Sequence, residues 1–88
     1  MIDYSLYNLN QDDLEFLKDI EDALENQNEV VLQYKDLSFV IEPGGKTCVV
    51  ISFEKTLGKF ADFDDLLLHF LLDGSPMIEK ISEIEYGN

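Results

Sequence analysis

The apolar residues of this chain change period twice, and that change constrains its fold more than any other feature. From residue 10 to 28 they recur every three to four positions: Leu14, Leu17, Ile20 and Leu24, widened by Phe16 and Ala23. From 29 to 54 they alternate. From 62 the wider spacing returns with Phe63, Leu66, Leu67, Phe70 and Leu71. Helices repeat every 3.6 residues and strands every 2, so a helix, a group of strands and further helix must follow one another.

Local signals divide these blocks. Asn10 is a predicted N-cap, with Asp12, Asp13 and Glu15 where the helix dipole favours anions. Asn26-Gln27-Asn28 stops this helix, and Asp22 and Glu25, acids at the wrong end of the dipole, predict a fraying terminus. Segments 29–34 and 37–42 flank Lys35-Asp36, a connection of hairpin length. Their alternation places Val30, Leu32 and Tyr34 on one face with Leu37, Phe39 and Ile41. Pro43-Gly44-Gly45 reads as a turn, proline setting the first φ and glycine supplying a positive one. Segment 47–54 is the third strand, with Val49, Ile51 and Phe53 predicted inward.

Residues 55–61 read as a loop. Asp62 caps the next helix, which Asp73-Gly74 ends with glycine in the left-handed position. Ser75-Pro76 opens a last helix with Met77, Ile78, Ile81 and Ile84 on its apolar side, and Tyr86-Gly87-Asn88 frays from it. The predicted fold is α+β: a helix, a three-stranded antiparallel meander, then two C-terminal helices packed on one sheet face. It forms one domain over residues 1–88, with 1–9 as an extended arm.

Charge narrows the chemistry. The chain carries 19 acids and six lysines, with no arginine, for a formal net charge of −13. Such a field repels nucleic acid, anionic membrane and phosphorylated ligands, and attracts basic protein surfaces. Without arginine there is no planar fork for paired hydrogen bonds to phosphate. Yet 45% of the residues are hydrophobic, so the charge rides on a folded body and not on a disordered tail. The single cysteine, Cys48, excludes an internal disulfide and suits the cytoplasm. The first residues lack a secretory signal. The longest nearly unbroken apolar run, 66–72, falls far short of the about 20 residues that span a membrane.

Catalytic and metal-binding patterns are sparse. Cys48 and His69 alone cannot build a zinc site within one chain, and no motif orients them as a nucleophile pair. Gly44-Gly45-Lys46 lacks the second half of a phosphate-binding loop. Asp12-Asp13 and Asp64-Asp65 lie at helix starts, where capping accounts for them. Asp62-Phe63-Asp64-Asp65 lacks the glycine and distal glutamate of a calcium loop. The expectation is a chain without enzymatic activity or cofactor.

Surfaces are more informative. Glu15, Asp19 and Asp22, with Asn26, are spaced to stack along one side of the first helix. Val31, Val40, Cys48 and Val50 fall opposite the predicted inner sheet face, where they form an apolar patch suited to the arm, a partner or a second copy. Leu68 and Leu72 fall outside the stripe of the second helix.

Phe63-Asp64-Asp65-Leu66-Leu67, Asp73-Gly74-Ser75-Pro76 and the 81–86 tail together resemble the C-terminal pattern of small acidic proteins of Gram-positive bacteria and their mobile elements. That resemblance implies no activity. In size, charge and element order the chain is also similar to small acidic phage-encoded inhibitors of nucleic-acid-binding proteins. The likeness implies imitation of nucleic acid by the helix-one carboxylates. The expectation is therefore a cytoplasmic interaction or regulatory protein, bacterial or phage in character. Its partner would be another protein with a basic surface, or a second copy joined through Val31, Val40 and Val50.

Overall fold

In the computed structural model, which describes residues 2–45 and 47–87, Asn10 caps the first helix as predicted. Its side-chain oxygen accepts from the Asp13 amide at 2.8 Å, and the Asp13 carboxylate accepts from the Asn10 amide at 3.1 Å. This reciprocal box satisfies two amides that a helix start leaves free. It also explains how Asp13 can lie buried. Helix α1 (Gln11–Glu25) buries Leu17, Ile20 and Leu24.

The far end of α1 does not fray but is closed. Gln27 adopts a φ of 61°, its amide bonds the Leu24 carbonyl at 3.0 Å, and the Asn28 amide bonds the Ala23 carbonyl at 2.9 Å. This is a Schellman cap, with glutamine where glycine is usual. Gln27 adds a role glycine could not play. Its side-chain amide donates to the Gly45 carbonyl and accepts from the Gly45 amide, each at 3.3 Å, tying α1 to a sheet turn.

Four strands follow: β1 (Val30–Tyr34), β2 (Leu37–Gly44), β3 (Thr47–Ser52) and β4 (Lys55–Phe60). Then come helix α2 (Phe63–His69), short strands β5 (Leu71–Leu72) and β6 (Ser75–Pro76), a 3₁₀ helix (Met77–Glu83) and β7 (Ile84–Tyr86). The main sheet is antiparallel, in the order β4-β3-β2-β1-β7. The predicted three-stranded meander with two C-terminal helices is therefore corrected. The sheet has five strands, and one α-helix and one 3₁₀ helix follow the first four.

Each difference has a local cause. The predicted loop 55–61 is β4, an edge strand. Its lysines, Gly58 and a bulge beside Val50 and Ile51 hide the alternation and blunt an exposed edge. Pro43 and Gly44 are strand residues, and the turn they were expected to make follows them, with Gly45 at φ 75°. Proline is tolerated in β2 because β1 begins pairing only at Ile41, so Pro43 has a partner strand on one side alone. Asp73 and Gly74, at φ 53° and 79°, form a two-residue hairpin turn and not a helix end. Tyr86, expected to fray, pairs with Leu32; Met1, Lys46 and the terminal Asn88 lie outside the described residues.

Strands β1 and β2 face as predicted, with Val30, Leu32, Tyr34, Phe39 and Ile41 buried and Leu37 half-buried. In β3 the expected parity is reversed: Cys48, Val50 and Ser52 are buried, and Val49 and Ile51 face outward. Phe53 lies in the β3–β4 turn and is 89% exposed. The helices, including the 3₁₀ segment, cover the inner face through Ile20, Leu66, Leu67, Met77, Ile78 and Ile81. Burying each such side chain contributes about 1.5–3 kcal/mol. Phe70 stacks edge-on against Phe39 and Phe60, with ring centroids 5.5 and 6.1 Å away. Among the described residues no helix is long and apolar enough to cross a membrane.

Candidate interaction surfaces

Helix α1 turns Glu15, Asp19 and Asp22 outward because its apolar stripe takes the inner side. Glu15, Asp19, Asp22 and Asn26 are all exposed. The three acids, with Asp12, Asp13, Glu21 and Glu25, belong to a 15-residue helix whose single cation is Lys18, and Asn26 is its C-cap. Glu21 lies on the flank and is half-buried. Burial, then Glu25, Asp64 and Asp22, push its carboxyl above the usual range. Tyr4 is raised by burial and by the same neighbours, Asp64 and Glu21.

The N-terminal arm is not extended. Tyr4–Leu6 forms a 3₁₀ turn capped by Asp3, whose carboxylate accepts from the Ser5 amide at 3.1 Å and hydroxyl at 2.6 Å. Ile2, Tyr4, Tyr7 and Leu9 pack against the core cluster, which places the arm on the helical side of the sheet. It therefore leaves the outer sheet face uncovered.

On that outer face the predicted patch is partly present. Val31, 38% exposed, and half-buried Val40 lie there as expected. Val50, fully buried, and Cys48 belong to the core instead. Val49 and Ile51 take their places. Pairing aligns Val31, Val40, Ile51 and Thr56 in one row across four strands, and Glu42, Val49 and Lys59 in the next. Among the described outward strand positions, the charged residues are Glu42, Lys59 and Glu85. This face is close to neutral on a chain of net charge −13.

Cys48 sits in the core, its thiol pushed up by burial and then by Asp62, away from the thiolate form a nucleophile needs. His69 is exposed on α2, its Nδ1 2.7 Å from the Asp65 carboxylate one turn back. That carboxyl is held low first by the Ala61 amide. Leu72 is buried and Leu68 half-buried; Leu71 is exposed, because the chain leaves the helix at Phe70 and alternates from there.

Two features escaped the sequence. Asp73 accepts from the Tyr34 hydroxyl at 2.9 Å and pairs with Lys35 Nζ at 2.6 Å, latching the β5–β6 hairpin onto the β1–β2 hairpin. Lys35, then Tyr34, hold its carboxyl below the ordinary range. A cleft of about 480 Å³ lies between α1, the β2–β3 turn and the start of α2, bordered by Glu21, Leu24, Gln27, Cys48, Asp62 and Phe63. Among the described residues no three metal-capable side chains converge, there or elsewhere. Comparison with family models, curated proteins and solved structures finds no match to this chain.

Proposed function

We propose that the chain is a non-enzymatic interaction module of the cytoplasm that captures a protein with a basic surface through the outer face of α1. The observation that carries this reading is the exposed row of Glu15, Asp19 and Asp22 on a helix closed at both ends. A rise of about 1.5 Å per residue spaces these carboxylates about 6 and 4.5 Å apart along the axis. Because the capping box and the Gln27–Gly45 link hold the helix, little backbone freedom remains to be lost on binding. Opposite charges speed encounter more than they slow release, and salt weakens that advantage. A cationic groove that binds nucleic acid is the partner surface with the charge density to match.

The test compares wild type with the triple variant Glu15→Gln, Asp19→Asn, Asp22→Asn. Each is used as bait in extract of the native host at low salt, and the retained proteins are identified by mass spectrometry. A basic protein held by wild type should associate about tenfold more slowly with the variant. Should the same protein bind both baits equally and withstand about half-molar salt, where screening is nearly complete, α1 is not the capture surface. Displacement of duplex DNA from the captured protein by wild type, and not by the variant, identifies nucleic-acid imitation.

A further inference from the structure

We propose that the outer face of the sheet is an interface for a second copy of this chain. The two-fold axis runs along β3, so that Glu42 of each copy meets Lys59 of the other on either side of paired Val49 residues. The first support is β3 itself. Cys48, Val49, Val50 and Ile51 form an unbroken apolar run, the pattern of a strand covered on both faces. The helices cover its inner face. Among the described residues nothing covers the outer one, and the N-terminal arm packs on the helical side.

The second support is charge, which selects both the occupant and the axis. Glu42, Val49 and Lys59 are register partners across β2, β3 and β4, so acid and lysine stand symmetrically about Val49. Strands lie about 4.8 Å apart and packed sheets about 10 Å apart, a gap that extended glutamate and lysine side chains bridge together. Rotation about β3 lays Glu42 over Lys59 and Lys59 over Glu42, an isologous and self-complementary contact. It also lays Ile51 over Ile51 and Val40 over Thr56. Rotation about the perpendicular row would oppose like charges instead. The chosen arrangement sends the two α1 acidic faces to opposite outer sides of a helix–sheet–sheet–helix stack, where repulsion between two chains of net charge −13 is smallest.

Sedimentation velocity on the whole chain tests this. The contact is limited to the central strands and carries four formal charges, so a reversible dimer with a dissociation constant of about 10 μM is expected at about 0.15 M salt. Glu42→Lys and Lys59→Glu should each weaken it about tenfold or more, and the double exchange should return it to within about threefold of wild type. Glu42→Lys makes the chain less acidic, so relief of general repulsion would strengthen association; the proposal requires the reverse. Val49→Asp should give a monomer with unchanged circular dichroism. A variant-free check is dilution followed by NMR: amide shifts of Val40, Val49 and Ile51 should move with concentration while those of α1 stay fixed. A wild type that stays monomeric to about 200 μM overturns the proposal, as does a dimer that single reversals leave intact or the double exchange fails to restore. Neutralising Glu15, Asp19 and Asp22 should leave the dimer unchanged, so failure of the α1 proposal and failure of this one are separable.

Discussion

On the inner side of β3, Cys48, Val50 and Ser52 lie beneath the helices, and the Ser52 hydroxyl donates to the Ser38 carbonyl at 2.7 Å. One residue along, Thr47, Val49 and Ile51 point the other way, onto a face with little charge and no described cover. The two sets have nearly the same chemistry and different surroundings. Side chains alternate with a period of two, so a slip of one residue would exchange them completely. What holds the register is therefore external to β3. It is set by Ile41 opposite Val50, by the tight β2–β3 turn that Gln27 braces, and by the paired Phe60 on β4.

The largest effects should separate the two sides. Val50→Asp places an unpaired carboxylate in the core and should cost about 4 kcal/mol or more, enough to unfold a domain of this size. Val49→Asp, one position away, should cost the monomer about 1 kcal/mol or less while removing self-association. Urea denaturation with a check on the m-value measures both. Equal losses at the two positions would mean that the parity of β3 is not the one described.

Parity was also where the sequence was least legible, and for the same reason. In β1 and β2, Gln33 and Ser38 interrupt the apolar alternation, so Leu32, Tyr34, Phe39 and Ile41 identify the inner face without help. Strand β3 has no such marker, and two apolar faces read alike. Helix α1 was legible because its cap, its stripe and its stop are local. Strands β4 and β7 were not, because an edge strand takes its conformation from a neighbour. The neighbour of Tyr86 is Leu32, far back in the chain. Asp73-Gly74 was ambiguous in a more instructive way. A helix end and a hairpin turn both call for a left-handed glycine. Only the distant Tyr34 and Lys35, which donate to Asp73, decide between them. Of the candidate surfaces, the outward placement of Glu15, Asp19, Asp22, Val31 and Val40 followed from period alone, whereas Val50 needed the register.

An intermediate effect probes the turn that aligns β4 with β3 and so places Lys59 beside Val49. Phe53 and Glu54 occupy it at φ 50° and 65°, a conformation that suits Asn-Gly and disfavours a bulky side chain. Replacing the pair with Asn-Gly keeps the loop length and hence both faces. It should stabilise the domain by about 1–2 kcal/mol, raising the melting temperature by about 4–8 °C per kcal/mol. A loss of stability would show that the exposed Phe53 ring makes a contact the fold requires.

The smallest effects lie in the charges, and their sign differs from one carboxylate to the next. Glu21, on the helical side, has a carboxyl pushed up by burial and by Glu25, Asp64 and Asp22. A raised acid binds its proton more tightly in the folded state, so its ionised form weakens the fold above that pKa, and the penalty disappears as the pH falls through it. Glu21→Gln should therefore raise the melting temperature at pH 7, and the gain should vanish toward pH 4. Asp73, held low by Lys35 and Tyr34, behaves oppositely: its contribution is present above the ordinary carboxylate range and is lost as the pH falls through its lowered pKa. Asp73→Asn should thus lower stability at pH 7 and matter little in strong acid. Moderate salt should raise the melting temperature of wild type by screening the acids of α1 over about 8–10 Å, and should help the triple variant at Glu15, Asp19 and Asp22 less. Because the outer sheet face is nearly neutral, Glu42→Gln should leave that salt response unchanged. Were Glu42→Gln to reduce it as much as the triple variant does, the acidity would not be segregated between the two faces in any way that matters to the fold.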